Sequence, residues 1–131
     1  MTRFEADSPR ERRKLFADAV VAHRNRGSAF LTLEAAHDPD IDGEDPGPWI
    51  QFGDRTFNMD VTDEELDRLK DLLSEFPEFR IDQLESPDEA EGTNVRISAR
   101  SDANRLAGFA DRAFQAVYGR ADDYRAWVTA I

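Results

Sequence analysis

Trp49-Ile50-Gln51-Phe52-Gly53-Asp54-Arg55-Thr56-Phe57-Asn58-Met59-Asp60-Val61 is the stretch on which the fold turns. Two runs, Trp49 to Phe52 and Arg55 to Val61, flank Gly53-Asp54, and a Gly-first two-residue connection is the signature of a type II′ hairpin. That register sets Ile50 opposite Phe57, with Phe52 and Met59 on the same face, giving an apolar sheet surface for a helix to cover. Trp49 then shares the opposite face with Gln51, Thr56, Asn58 and Asp60. A tryptophan on a polar face is either a rim residue covered by a neighbouring segment or an exposed contact for a partner.

Helices are expected on both sides of the hairpin in sequence. Upstream, Ser8-Pro9-Arg10-Glu11 is a helix start, with Ser8 as cap, Pro9 at the first helical position and Glu11 placed to close a capping box. Leu15, Phe16, Ala19, Val20 and His23 recur at helical spacing until Asn25-Arg26-Gly27. Ser28 to Ala35 fits a strand, and His37 to Pro48 is an Asp, Gly and Pro rich loop. Downstream, Thr62-Asp63-Glu64-Glu65 is a second capping box, followed by a buried stripe of Leu66, Leu69, Leu72, Leu73 and Phe76.

Phe79 to Leu84 and Thr93 to Ala99 read as two further strands, with Phe79, Ile81, Val95 and Ile97 inward. Glu78, Arg80 and Asp82 then face Arg96, Ser98 and Arg100 on the outer side. Ser101 or Asp102 caps a long helix whose stripe runs from Leu106 to Val117 and stops at Gly119. Asp122 is expected to start a short final helix with Tyr124, Trp127, Val128 and Ile131 on one side. Apolar residues at the end of the sequence dock on the core or lie in a dimer contact, so Trp49, Trp127 and Ile131 are the candidate partner-binding residues.

The succession is helix, three strands, helix, two strands, helix, then a short helix. It predicts one α+β domain over residues 1–131, with residues 1–8 a flexible lead-in, in which an antiparallel sheet of about five strands carries helices packed on one face. Over residues 9 to about 119 this order and its hydrophobic pattern resemble the type III secretion chaperone-like fold shared by the YbjN-type proteins. The resemblance implies a non-enzymatic, often dimeric protein that offers a sheet or helix groove to a partner polypeptide.

Charge bounds the function classes. The 131 residues hold 28 Asp and Glu against 17 basic residues, of which only Lys14 and Lys70 are lysine, for a net charge of -11. An acidic, Lys-poor surface suits very concentrated salt, where a Debye length of about 3 Å suppresses self-repulsion, and the composition resembles that of a salt-accumulating haloarchaeon. With no cysteine, thiolate catalysis and Cys-ligated zinc are excluded. Neither a spanning apolar run nor a signal-peptide core is present, so a cytoplasmic protein without membrane association is expected.

Two constellations could carry chemistry. Asp38-Pro39-Asp40-Ile41-Asp42-Gly43 matches the first half of an EF-hand loop and makes Asp38, Asp40 and Asp42 candidate cation ligands, with Glu44 and Asp45 nearby. Position 12, where a bidentate Glu belongs, is Trp49. Residues 1–27 carry seven basic against four acidic residues, and Arg10, Arg12 and Arg13 cluster at a helix N-terminus where the dipole disfavours them. They are the candidate nucleic-acid residues, although the overall negative charge argues against that partner. No nucleophile elbow, phosphate loop or zinc-protease motif occurs, and carboxylate pairs are too common here to be diagnostic. The sequence therefore favours a non-enzymatic interaction module without a cofactor, binding a protein partner or itself. An acidic cation-binding protein and a nucleic-acid-associated regulator are the alternatives.

Overall fold

The computed structural model describes residues 4–27, 30–86 and 92–130. Its elements are β1 (Phe4–Ala6), α1 (Pro9–Arg26), β2 (Leu31–Ala35), α2 (Pro39–Asp42), β3 (Trp49–Gly53), β4 (Thr56–Val61), α3 (Asp63–Leu73), β5 (Arg80–Glu85), β6 (Thr93–Ser98), α4 (Ala103–Ala116) and β7 (Ala126–Ala130). The seven strands form one sheet in the order β1-β7-β2-β3-β4-β6-β5, and every neighbouring pair is antiparallel. This is the α+β class expected, with two more strands than the five read from the sequence.

Local signals set the helix ends. Ser8 Oγ accepts from the Glu11 amide, Thr62 and Glu65 complete a capping box, and the Asp102 side chain accepts from the Arg105 amide. Gly27 ends α1 in the left-handed region at φ 65°, where a side chain would be strained.

Each long helix joins two strands that run the same way. α1 links β1 to β2 across β7, α3 links β4 to β5 across β6, and α4 links β6 to β7 across the three strands between them. Crossovers of one hand place all three helices on one face. Leu31, Leu33, Ile50, Phe52, Phe57, Met59, Val95, Ile97 and Val128 accordingly point to that face and are buried in one core with Phe16, Leu69, Phe109 and Phe114. Phe57 sits at its centre, its ring 4.9 Å from that of Phe52 and 5.1 Å from that of Phe109.

The hairpin differs from expectation by one turn position. Phe52 pairs with Phe57 and Gly53 with Thr56, so the turn residues are Asp54 and Arg55, at φ 49° and 58°. Two positive φ values define a type I′ turn, whose twist matches the strands. The pairing is two residues from the one that would put Ile50 opposite Phe57. An even shift keeps every side chain on its expected face.

Three further corrections concern strands. Residues 122–130 do not form the expected short helix: β7 lies inside the sheet between β1 and β2, with Ala126 and Val128 inward and Trp127 and Thr129 outward. A short apolar run fits either period, and here the free edges of β1 and β2 decide. Residues 4–6, inside the expected flexible lead-in, form β1 against β7. In β5 a bulge between Ile81 and Gln83 sets Gln83 rather than Asp82 beside Arg96.

Two stability predictions follow from backbone and burial. Arg55 holds a left-handed conformation that glycine adopts freely, so Arg55→Gly should stabilise the fold by about 0.5–1 kcal/mol after its extra unfolded-state entropy, as read by denaturant titration. His23 is 5% exposed, its ring lies edge-on 6.1 Å from that of Phe52, and burial, then Arg26 and Arg24, hold its pKa below the ordinary histidine value. The unfolded chain thus takes up this proton at a higher pH than the folded one. Stability should be complete above about pH 6.5 and fall on acidification through the histidine range, and His23→Gln should flatten that segment of the thermal midpoint against pH.

Candidate functional site

Arg12 occupies the same helical stripe as Phe16, Val20 and His23, four residues before the first of them, and is fully buried. Its Nε donates to Asp111 Oδ1 of α4 at 2.8 Å, and its Nη1 donates to the Tyr124 carbonyl at 2.9 Å. The guanidinium lies 3.9 Å over the Tyr124 ring, whose hydroxyl donates to the same Asp111 oxygen at 2.8 Å. Burial, reinforced by the Asp111 charge, drives the Tyr124 pKa far above its usual value, so the phenol remains a donor. This knot fastens α1, α4 and the approach to β7.

Arg120 forms the second knot. It is 6% exposed, donates from Nη1 to the Tyr118 carbonyl at 3.0 Å, and pairs through Nη2 with Asp42 Oδ2. The same Asp42 oxygen accepts from the Asp38 amide, and Asp38 Oδ1 accepts from the Asp40 amide as the cap of α2. Asp38 and Asp42 are therefore spent on a short helix and a buried arginine, while Asp40 contributes its amide and is exposed. Among the described residues no three ligand side chains converge as a metal site.

The basic cluster is likewise dispersed. Arg12 is buried, Arg10 is exposed, and Arg13 is half-exposed with Nη1 3.8 Å from Asp111 Oδ2. On the outer helix surface Arg112 grips Glu75 with two bonds, of 3.1 and 2.8 Å, and Arg105 grips Glu78. Those bonds hold both glutamate pKa values below the ordinary range. A shallow groove of about 390 Å³ between α1 and α4, bordered by Arg13, Gly108, Asp111 and Arg112, has its charges matched in this way.

The remaining candidate is the sheet face that no helix among the described residues covers. Its registers form rows across the strands. One row holds Glu5, Trp127, Glu34 and Trp49 on β1, β7, β2 and β3. The next holds Thr129, Thr32, Gln51, Asn58, Arg96 and Gln83, and a third holds Gly53, Thr56, Ser98 and Arg80. Glu34 stands between the two tryptophans and accepts from Trp127 Nε1 at 2.7 Å and Thr129 Oγ1 at 3.3 Å.

Both tryptophans are half-buried, and Phe30, just before β2, is 48% exposed. A hollow of about 300 Å³ opens on this face, its lining including Phe30, Gln51, Asn58 and Arg96 and the carboxylates Asp54 and Asp82. The face brings Trp49 and Trp127 into one row, although Trp127 reaches it from a strand rather than the expected helix. Ile131 lies outside the described residues. Glu34 was not singled out from the sequence and Arg96 was read only as an outer-side residue of its strand, although their alternation with buried neighbours carried the signal. No helix among the described residues is long and apolar enough to cross a membrane.

The whole chain, residues 1–131, matches the model of a family of unknown function, DUF7975. The chain belongs to that family. No curated protein and no solved structure matches it.

Removing one member of the Arg12 knot leaves a buried charge without its partner. Asp111→Ala should cost about 3–5 kcal/mol in denaturant unfolding, whereas replacing both charges (Arg12→Met with Asp111→Leu) should cost much less. Equal losses in the two variants would show that packing, not the unpaired charge, sets the cost.

Proposed function

We propose that the chain is a non-enzymatic interaction module that docks a polypeptide on the open face of its sheet, in the cytoplasm of a cell with high internal salt. The single observation behind this reading is that uncovered face, with Trp49 and Trp127 in one row on either side of Glu34. Tryptophan is a costly residue to leave on a solvated sheet and a favoured anchor at interfaces, where its ring buries area and its N–H keeps a partner.

Chemistry elsewhere has less support. The buried Asp111, Tyr124 and Arg12 bond one another, and Asp42 of the Asp-rich segment is committed to Arg120. The composition that suggests high salt also favours docking through neutral and aromatic groups, because long-range attraction is screened there.

The test is comparative capture in molar KCl. Polypeptides retained by the native chain and by Arg112→Ala on the helix side should be lost from the Trp49→Ala, Trp127→Ala double variant, with circular dichroism showing all three folded. Identical retention by all three would remove the sheet face as the docking surface.

A further inference from the structure

We propose that the occupant of the open face is an arginine-bearing polypeptide segment that lies across the strands, with a guanidinium stacked on Trp49 between Glu34 and Asp60. This deepens the docking reading above and rests on it. The register carries the inference. The row that begins with Glu5, Trp127, Glu34 and Trp49 runs on to Asp60, Asn94 and Glu85. Trp49 and Asp60 each lie two residues beyond the paired Gln51 and Asn58, Asp60 pairs with Asn94, and Asn94 pairs with Glu85. A carboxylate therefore stands on every second strand, with an indole or an amide between.

Charge is sorted on this face. At the regular strand positions Glu5, Glu34, Asp60 and Glu85 all fall in the tryptophan row, whereas Arg96 and Arg80 fall in the other two rows. Asp54 and Asp82 belong to the turn and the bulge. One end of the strands thus presents a wholly acidic row, and the complement of that row is cationic.

The protein itself shows what a ring beside a carboxylate holds. Arg12 lies 3.9 Å over the Tyr124 ring while it bonds Asp111 at 2.8 Å, and Arg105 lies 4.1 Å over the Phe76 ring while it bonds Glu78 at 3.0 Å. In both, the ring face attracts the cation and the carboxylate fixes its plane. Trp49 has such a carboxylate on either side, on adjacent strands about 5 Å away. The bonds to Glu34 fall on Oε2 and the bond to Asp60 falls on Oδ1, so each carboxylate has its other oxygen for an incoming guanidinium. Among the described residues no arginine or lysine pairs with Glu34, Asp60 or Glu85 or lies over Trp49.

Spacing selects the conformation. Alternate strands lie about 9.6 Å apart, and one polyproline II turn of three residues advances about 9.3 Å. An arginine at every third residue therefore meets successive carboxylates, over about two or three repeats before the twist of the sheet turns the row away. Concentrated salt leaves such contacts in place, because a pair closed against a ring is partly buried and is screened much less than an exposed one.

The experiment is calorimetric titration of the whole chain in molar KCl with a blocked peptide of Arg-Pro-Pro repeats and with its Lys-Pro-Pro counterpart. The arginine peptide should bind saturably and about tenfold tighter than the lysine peptide, which can neither stack flat nor bond a carboxylate with a planar fork. Glu34→Gln and Asp60→Asn keep the shape and remove the charge, and each should weaken binding about tenfold. Glu75→Gln, which removes the same charge from the helix side, should leave it unchanged, with circular dichroism showing all three variants folded. No saturable heat, equal affinity for the two peptides, or equal affinity across the three variants would overturn the proposal. If the Trp49→Ala, Trp127→Ala double variant still loses captured polypeptides in any of those cases, the docking face stands and only the arginine segment falls; if it does not, both fall.

Discussion

The handedness of three crossovers is the constraint from which the rest of this molecule follows. Each long helix must travel between strands that point the same way, and a chain of L-residues makes that connection with one hand. Three such connections on one sheet put every long helix on one side. The core therefore has a single layer boundary, and the other side of seven strands is left to polar and aromatic residues. A two-layer arrangement of this kind is stable with its second sheet face in water, which an all-parallel sheet is not.

The price of placing the last strand in the sheet interior is that the C-terminal segment must be held, and two buried arginines hold it. Arg12 reaches from the first helix to Asp111 and the Tyr124 carbonyl, while Arg120 ties the turn after α4 to Asp42 and the segment following β2. A guanidinium suits both places because its planar fork bonds a carboxylate and a carbonyl at once and can lie flat on a ring. Lysine could do neither. The scarcity of lysine that marks the surface therefore costs the interior nothing.

How much of this was legible depended on whether a local pattern had one physical reading. Ile50, Phe52, Phe57 and Met59 alternate within a hairpin, so their face was readable even though the turn falls on Asp54-Arg55 rather than Gly53-Asp54. The caps Ser8, Thr62 and Asp102 were readable because hydroxyl and carboxylate caps act within four residues. Ala126 to Ala130 was not, because five residues fit both periods and the choice was made by β1 and β2, more than ninety positions away in sequence. Arg12 was misread by type, although its position on the apolar stripe of α1 marked it as inward. That Asp42, a candidate ligand by its motif, pairs with Arg120 was not legible because the two are distant in sequence.

The central claim is that β7 is an interior strand of a one-sided sheet, so that adjacent residues of that strand see opposite environments. The chain has no cysteine, which allows single cysteines to report accessibility directly. Thiol labelling rates of Val128→Cys and Thr129→Cys test this most directly. The account expects Thr129→Cys to react at a rate near that of an exposed thiol and Val128→Cys to react only through opening of the fold, orders of magnitude more slowly. Comparable rates at the two positions would contradict it.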